Sequence, residues 1–566
     1  MKKYESRELK QRRHSPTKKL LLFYHTVKYL RWSQLWFRLY YRMVKLVVHP
    51  PVNVSERQWV SSWLGQSRTS ERSILSIDEV RFLGESGCLF EKEDWNSSHK
   101  SKLWLYHLHY LEELGSIHAP QHRELLNEFI EKWIRDNPPC LGVGWEPYPL
   151  SLRLVNLVKW YKGQTTSLSP IEYLSLSLQA EALYKQREFH IRGNHLFVNG
   201  KALVFIGAFF SGNKANFWVL KGLEILDEQM EEQFLKDGGH FELSPMYHAL
   251  LLWDLCDLVH LADCSGLSEL LARKKQWQGL IKKALQWLQY LCHPDGEIAF
   301  FNDAALGAAP RMAELECYAS QLGIKPIKTV NSDCHHLIDS GFCVINLTPD
   351  GKAILDVGLI GPDEQPGHAH ADSLSFELSL FNQRVIVNSG TSTYSHAVKR
   401  HAQRRTRAHN TVTINEQDSS EVWAEFRVGR RAKPFDLEIH DASDELRIAC
   451  SHDGYLRLKG RPVHRRSWSF SENKMTIHDT LTGHYQSACA RFYFHPTVTI
   501  QRTADGHFSC LLENSKVVWI TIQMAKRVTL ESSTWHPNFG KEEPNQCLVV
   551  DMQGPELLTD ICWQGA

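Results

Sequence analysis

The spacing of apolar residues changes once along this chain, near residue 328. From about residue 99 to residue 292, apolar residues recur three and four positions apart, as in HRELLNEFIEKWIRD and FWVLKGLEILDEQMEEQF, which predicts amphipathic helices. After residue 328 the segments are short, rich in β-branched and aromatic residues and often alternating, as in SLSFELSLF and HNTVTINE, which predicts antiparallel strands. Helices followed by strands indicate consecutive regions rather than an α/β sheet.

The chain has 566 residues, which is too long for one ordinary core. We therefore predict an α+β multidomain protein with three regions. These are an N-terminal helical extension over residues 1–98, an incomplete (α/α) toroid over residues 99–328 and an antiparallel β-sandwich over residues 329–566. The toroid is expected because short links between successive helices make antiparallel hairpins in series.

Charge and cysteine usage exclude several classes of protein. Lys and Arg total 65 and Asp and Glu total 64, so no global field favours nucleic acid as a partner. Thirteen Cys lie singly, without a C-x-x-C pair, which predicts reduced thiols rather than a disulfide framework or a Cys zinc site. A dimer is compatible with the sequence.

The N-terminal segment is basic and aromatic. It has no apolar core with a cleavage site, and the chain has no run of about 18 apolar residues. We therefore predict no signal peptide, no transmembrane helix and a cytoplasmic location, with the periplasm as the alternative. Residues 20–48 mix Trp and Leu with Arg and Lys, which predicts a helix that either docks on the toroid or contacts a membrane surface.

The segment Pro366-Gly367-His368-Ala369-His370-Ala371-Asp372 precedes a predicted strand. In extended chain, residues two apart face the same side, so His368 and His370 are expected in one site with Asp372 next along that face. Neutral imidazole serves as a metal ligand or as a general base. A solvated surface loop is the alternative.

A further histidine, His409, opens the next predicted strand, and Asn388 lies between His370 and His409 in the sequence. Zinc needs three or four N, O or S ligands, and His370 with His409 supplies two. Asn388 is a neutral and poorer ligand than a carboxylate would be, which weakens the case for a metal.

Two polar elements interrupt the helical half. Asn194, in Arg192-Gly193-Asn194-His195, is either a helix N-cap or a site residue. Ser244 can cap a helix with Pro245 at its first position, which places Tyr247 in the first turn. There the positive helix end would favour its phenolate; a buried structural tyrosine is the alternative.

Five motifs, GNHLFVNGKAL, FELSPMYH, GHAHADSLSFELSL, VNSGT and AHNTVTIN, resemble the heparinase II/III superfamily of polysaccharide lyases, which includes alginate and oligoalginate lyases. The resemblance runs from about residue 100 to the last strands. It implies an α/α toroid with a β-sandwich, and β-elimination on an acidic polysaccharide such as a glycosaminoglycan or another polymer of uronic acid. The segment TVKYLRWSQLWFRLYYR is similar to members associated with bacterial exopolysaccharide or surface-polysaccharide gene clusters.

The resemblance also implies roles for single residues. Asn194 and His195 would contact the uronate carboxylate, Tyr247 would be the general acid or both acid and base, and His368 would be the base or a carboxylate partner. All four are expected at a cleft between toroid and sandwich. His370, Asn388 and His409 match the His, Asp and His of zinc-binding relatives, with Asn388 departing from the pattern. Further residues are predicted to bind substrate: Trp145, Tyr148, Arg153, Glu242, Arg404, Arg405 and Arg407.

Two other functions remain open. A glycoside hydrolase on a similar toroid needs paired carboxylates, for which Glu242, Asp254 and Asp372 are available. A non-catalytic accessory protein of polysaccharide biosynthesis would hold a chain without cutting it, which agrees with the lack of a predicted export signal.

Overall fold

The structure is a computed structural model, which describes residues 16–51, 54–63, 72–164, 168–325, 327, 332–347, 350–441 and 445–563. The predicted boundary at residue 328 lies outside the described residues, so the three predicted regions stay predictions. Helices dominate before that point and antiparallel strands dominate after it, as the spacing of apolar residues predicts.

Twelve α-helices are assigned within the described residues. They are α1 (Pro16–Val27), α2 (Trp32–Met43), α3 (Lys102–Tyr110), α4 (Arg123–Asp136), α5 (Pro147–Lys162), α6 (Pro170–Lys185), α7 (Gly193–Phe209), α8 (Asn213–Gln233), α9 (Pro245–Ser265), α10 (Ser268–Tyr290), α11 (Met312–Gln321) and α12 (Ala397–Arg404). Proline begins α1, α5, α6 and α9, where its missing N–H has no intrahelical partner to lose. Helix α7 packs most extensively against the next helix, α8, and also against α5, and α9 packs against the next helix, α10.

Most strands follow the helices, with one short hairpin and one short long-range pair in the helical part. They are β1 (Ser55–Glu56), β2 (Glu79–Phe82), β3 (Glu85–Cys88), β4 (Phe210–Ser211), β5 (Cys334–Leu337), β6 (Phe342–Leu347), β7 (Gly351–Asp356), β8 (Phe376–Leu380), β9 (Gln383–Ile386), β10 (Val412–Ile414), β11 (Val422–Trp423), β12 (Arg427–Val428), β13 (Pro434–Asp441), β14 (Leu446–His452), β15 (Val463–Ser471), β16 (Lys474–Thr482), β17 (Ala488–Tyr493), β18 (Thr499–Ala504), β19 (His507–Leu511), β20 (Val517–Gln523), β21 (Ala525–Trp535), β22 (Glu543–Met552) and β23 (Glu556–Trp563).

Three larger antiparallel sheets form the C-terminal part. Their strand orders are β5-β6-β7-β8-β9, β10-β17-β22-β21 and β13-β14-β15-β16-β23-β20-β19-β18. The remaining pairs are β1 with β4, β2 with β3 and β11 with β12.

The five-stranded sheet is buried on both faces, which joins the helical and β parts. Alternate residues of a strand point to opposite faces. In β6, Phe342 and Val344 belong to the apolar core formed by the helices, whereas Cys343 and Ile345 belong to the core formed with the other sheets. This one sheet therefore contributes side chains to two hydrophobic cores, one on each of its faces.

All thirteen cysteines are free thiols, as their spacing predicts. Among the described helices, none combines the length and apolar content that crossing a bilayer requires.

Candidate functional site

Helix α9 places Tyr247 in its first turn. Ser244 Oγ accepts a hydrogen bond from the Tyr247 N–H at 3.2 Å, and Pro245 occupies the first helical position. Ser244 Oγ also donates to the carbonyl of Asp303. The cap predicted from the sequence is confirmed, and it fixes the first turn against the loop that carries Asp303.

Tyr247 meets His368, which comes from the other part of the chain. The two rings stack with centroids 3.9 Å apart. His368 Nδ1 forms a short hydrogen bond with Glu242 Oε2, and the Tyr247 hydroxyl lies 3.0 Å from the Tyr394 hydroxyl. Because a carboxylate on Nδ1 favours the tautomer with the proton there, His368 Nε2 is left as a proton acceptor.

The surroundings of Tyr247 keep its phenol protonated. Burial, with contributions from the nearby Tyr394, Asp303 and Tyr148, raises the pKa of Tyr247 well above its ordinary value. The expectation that the helix end favours a phenolate is therefore wrong, because desolvation outweighs the helix dipole. A protonated phenol suits a proton donor.

Asn194 and His195 form a second group on α7. His195 stacks on Tyr148 with ring centroids 4.3 Å apart, and His195 Nδ1 lies 2.9 Å from Glu188 Oε1. Burial raises the pKa of the Tyr148 phenol, and the nearby Asn194 side chain opposes this rise. Asn194 is in the first turn of α7 rather than at the N-cap, which is Arg192.

The two groups are close enough to interact electrostatically, since Tyr148 contributes to the raised pKa of Tyr247. Two buried side-chain oxygens here, Asn194 Oδ1 and Glu242 Oε1, have no hydrogen-bond partner. Buried polar atoms are normally paired, so both are available to the hydroxyl groups of a ligand.

The loop that carries His368 differs from its predicted form. Residues 366–375 turn rather than extend: the Ala369 N–H bonds to the Pro366 carbonyl and the Ser375 N–H to the Asp372 carbonyl. His368 faces Glu242, whereas His370 Nε2 lies 2.9 Å from Asp303 Oδ1. The expectation that both imidazoles point into one site is wrong, because the turns separate them.

The predicted zinc ligands do not converge on one point. His370 Nδ1 lies 3.2 Å from His409 Nε2, but Asn388 Oδ1 lies 3.3 Å from the other ring nitrogen of His409. The carboxylate nearest His370 is Asp303, which is ion-paired with Arg400. No group of three His, Cys, Asp or Glu in the described part of the chain has metal-binding geometry. These side chains do not fit the predicted zinc ion, and no chemical step is assigned to zinc.

Several predicted substrate contacts are buried. Trp145 packs against Trp133 inside the helical core, and Arg153 is fully buried and bonds Gln179 Oε1 at 2.9 Å. Arg404 is also fully buried and donates to the Ala369 carbonyl at 2.8 Å.

This burial does not agree with contact to sugar rings, and we leave these three residues out of the proposed site. Arg405 pairs with Asp418, whereas Arg407 is exposed. Tyr148 and Glu242, two of the predicted substrate-binding residues, contact the proposed catalytic groups.

Sequence reasoning missed two members of the site, Tyr394 and Glu188, and the buried Asp303–Arg400 pair that lies beside it. Tyr394 follows VNSGTST, but nothing in the sequence separates it from the other tyrosines among 18. Glu188 precedes the Arg192-Gly193-Asn194-His195 motif by four residues, a spacing that offered a weak signal.

Comparison with known proteins gives two family matches that together span most of the chain. A family described as Heparinase II/III N-terminus matches residues 34–322, and one described as Heparinase II/III-like, C-terminal matches residues 329–564. A heparin-sulfate lyase of Bacteroides stercoris is 24% identical over 386 residues, which cover 64% of this chain and 55% of that protein. A heparin-sulfate lyase of Pedobacter heparinus is 25% identical over 327 residues, covering 52% and 48%.

The chain thus spans about half the length of the curated relatives it matches. Among solved structures, heparinase III superposes with a TM-score of 0.67 at 19% identity, covering 83% of this chain and 79% of that one. A heparan sulfate lyase from Pedobacter heparinus superposes with a TM-score of 0.56 at 17% identity, covering 86% and 82%. The fold is shared, with a helical N-terminal part and antiparallel sheets after it. On the two family matches, this chain belongs to the heparinase II/III family.

Proposed function

We propose that this protein is a polysaccharide lyase that cleaves a polymer containing uronic acid by β-elimination. The observation that carries the proposal is the stack of Tyr247 on His368, with Glu242 on His368 Nδ1 and Tyr394 on the Tyr247 hydroxyl. It places a protonated acid beside an oriented base. The relatives named heparin-sulfate lyase support the same reaction class.

In the proposed reaction, His368 Nε2 removes the proton from C5 of the uronate. The electrons of that bond form the C4=C5 double bond, the C4–O4 bond breaks, and the Tyr247 phenol protonates the departing O4. No water is consumed. Each group must lie within hydrogen-bond reach of the proton that it moves.

The C5 proton is very weakly acidic beside an ionised carboxylate, so the site must stabilise the charge that develops there. We assign this task to Asn194 and His195. Tyr148 and Glu188 hold His195 in place. Fixed donors in a site that excludes water stabilise such charge without reorganising during the reaction.

A glycoside hydrolase is less well supported. Asp254 is ion-paired with Lys201, Asp372 accepts from the backbone of Asn302, and Glu242 is bonded to His368. The three carboxylates available for an acid–base pair therefore have separate partners.

Three finer points belong to the same proposal. The packing of consecutive helices supports an incomplete α/α toroid, and the double burial of the five-stranded sheet supports a sandwich. A role in bacterial surface-polysaccharide or exopolysaccharide metabolism rests on the motif around residues 26–42.

Product analysis tests the reaction class. Purified protein is incubated with uronate polymers that differ in sugar and sulfation, and the oligosaccharides are weighed by mass spectrometry. A lyase product carries a new unsaturated end and is one water lighter than the product of hydrolysis. Saturated products, or calorimetric binding of a polymer that no incubation cleaves, would refute the proposal in favour of the hydrolase or the accessory protein.

A further inference from the structure

Helices α1 and α2 each dock on the body of the protein through one face. In α1, Leu22 is buried and Thr26 Oγ1 donates to the Val428 carbonyl at 3.2 Å. In α2, the Phe37 ring stacks on Phe189 with centroids 4.8 Å apart, and the Tyr41 hydroxyl donates to the Arg187 carbonyl. The inner faces are thus committed to the fold.

The opposite face of α2 is an apolar stripe that is exposed to solvent. Trp32, Trp36, Leu39 and Met43 recur at intervals of four, three and four residues, so they share one side of the helix. Their exposed fractions are 86%, 60%, 51% and 64%. On α1, Leu20 and Tyr24 are likewise exposed. We call these six residues the outer face.

An exposed patch of large apolar residues on this scale marks an interaction surface. The exposure of the outer face does not result from loose packing of α2. Gln34, Phe37 and Tyr41 lie about half a turn away and contact the body of the protein.

The segment that carries the outer face has charges of one sign. Ten Lys and Arg residues and no Asp or Glu lie between Glu8 and Glu56. Lys19 on α1 and Arg38 and Arg42 on α2 are exposed. This contrasts with the whole chain, whose net charge is +1. The surface that complements such a segment is apolar beneath and negative at its rim.

We propose that the outer face binds the surface of a membrane that contains anionic lipids. The two helices lie in the plane of the interface, Trp32 and Trp36 enter the headgroup region with Leu39 and Met43, and the basic side chains contact lipid phosphates. Amphipathic helices with aromatic residues on one face and Lys or Arg beside it bind membranes in this way. The body of the protein is then held at the membrane surface, independently of its proposed lyase activity.

Vesicle sedimentation with the full chain tests the proposal. The probes are vesicles of phosphatidylcholine alone and of phosphatidylcholine mixed with phosphatidylglycerol. We expect the mixed vesicles to bind the wild type at least about tenfold more tightly, with salt weakening the binding, because several basic residues contribute. Trp32→Ser/Trp36→Ser should lose about tenfold or more in affinity. Trp519→Ser, which alters an exposed tryptophan on β20, should bind like the wild type.

Thermal melting checks that the variants fold. If the double variant does not, Trp32→Ser alone serves, because an 86% exposed side chain contributes little to the core. The proposal is overturned if the wild type does not bind mixed vesicles, binds both vesicles equally, or binds as the Trp32 variant does. Sedimentation velocity measures the oligomeric state. If the wild type does not bind vesicles but forms a dimer that Trp32→Ser dissociates, a second copy of the chain covers the outer face and the proposal is overturned.

Discussion

At the scale of single residues, the candidate site depends on partners that hold each reacting group. Glu242 bonds His368 Nδ1, and Tyr394 bonds the Tyr247 hydroxyl. These contacts orient the proposed base and acid before any substrate arrives. Such preorganisation is where an enzyme's electrostatic stabilisation arises.

Glu242→Gln should lower kcat on the order of 100-fold with little change in KM, because the imidazole loses the carboxylate that fixes its tautomer. Steady-state kinetics on a cleaved polymer measure both constants. Glu224→Gln, on the exposed surface of α8, is the matched control and should match the wild type. An unchanged kcat in Glu242→Gln would contradict the role assigned to Glu242.

The sequence indicated the proposed reacting groups more readily than the side chains that hold them. Motif resemblance selected Asn194, His195, Tyr247 and His368 directly. The bond from Glu242 to His368 spans 126 residues and that from Tyr247 to Tyr394 spans 147. Periodicity and spacing describe neighbours along the chain, so they carry no information on pairs brought together only by the fold.

At the scale of secondary-structure elements, helix ends and buried loop contacts position the site. Ser244 caps α9 beneath Tyr247. Arg400 on α12 pairs with the fully buried Asp303, with Nη2 2.6 Å from Oδ2. Burial alone would raise the pKa of Asp303, but Arg400 and His370 hold it well below its ordinary value.

Ser244→Ala should cost about 1 kcal/mol of stability, since an N-cap bond is lost, and should also lower kcat because the first turn of α9 holds Tyr247. Urea unfolding and kinetics measure the two effects. Ser169→Ala removes the equivalent cap of α6 and should cost similar stability with kcat unchanged. Equal kcat in both variants would show that the α9 cap does not position the phenol.

Asp303→Asn should cost about 3–5 kcal/mol, because it leaves the buried Arg400 guanidinium without its counter-ion. Asp227→Asn breaks an exposed pair with Arg273 and should cost at most about 1 kcal/mol. Urea unfolding compares them. Similar losses would contradict the view that the buried pair anchors the loop beside the site.

Among the secondary-structure elements, the sequence pattern predicted some features and not others. The cap at Ser244 was predicted because it is local. The turns at residues 366–375 and the burial of β6 on both faces were not predicted, because both depend on the segments that pack against them. An apolar run such as FCVINL looks the same in a strand buried on one face or on two.

At the scale of the whole molecule, the order of helices before sheets was predicted from the spacing of apolar residues. The sheet β5-β6-β7-β8-β9 then joins the two parts through its two apolar faces. Deeply buried polar groups are the consequence of so large a core. Burial lowers the pKa of His109 to about 3 and that of His248 to about 4.

Stability should therefore fall as the pH drops below about 6.5. Unfolded histidines bind protons below their ordinary pKa of about 6.5, whereas buried His109 and His248 stay neutral until far lower pH. Between pH 7 and pH 5, each should remove about 2 kcal/mol from the free energy of unfolding. Urea unfolding at both pH values measures the loss.

His248→Gln should reduce the loss of unfolding free energy between pH 7 and pH 5 by about 2 kcal/mol, the contribution of one buried histidine. His507→Gln, at an exposed position, should leave the loss unchanged. A loss of the same size in His248→Gln and in the wild type would contradict this account.

Near-ultraviolet absorbance tests whether Tyr247 and His368 catalyse β-elimination, because the new C4=C5 bond conjugated to the carboxylate absorbs there. With a uronate polymer, the wild type should give a steady rise in absorbance. Tyr247→Phe should fold with the same thermal melt and lose about 10²–10⁴-fold in rate, the contribution expected of a general acid. A wild type that shortens the polymer without any rise in absorbance, or a Tyr247→Phe variant as fast as the wild type, would contradict the account.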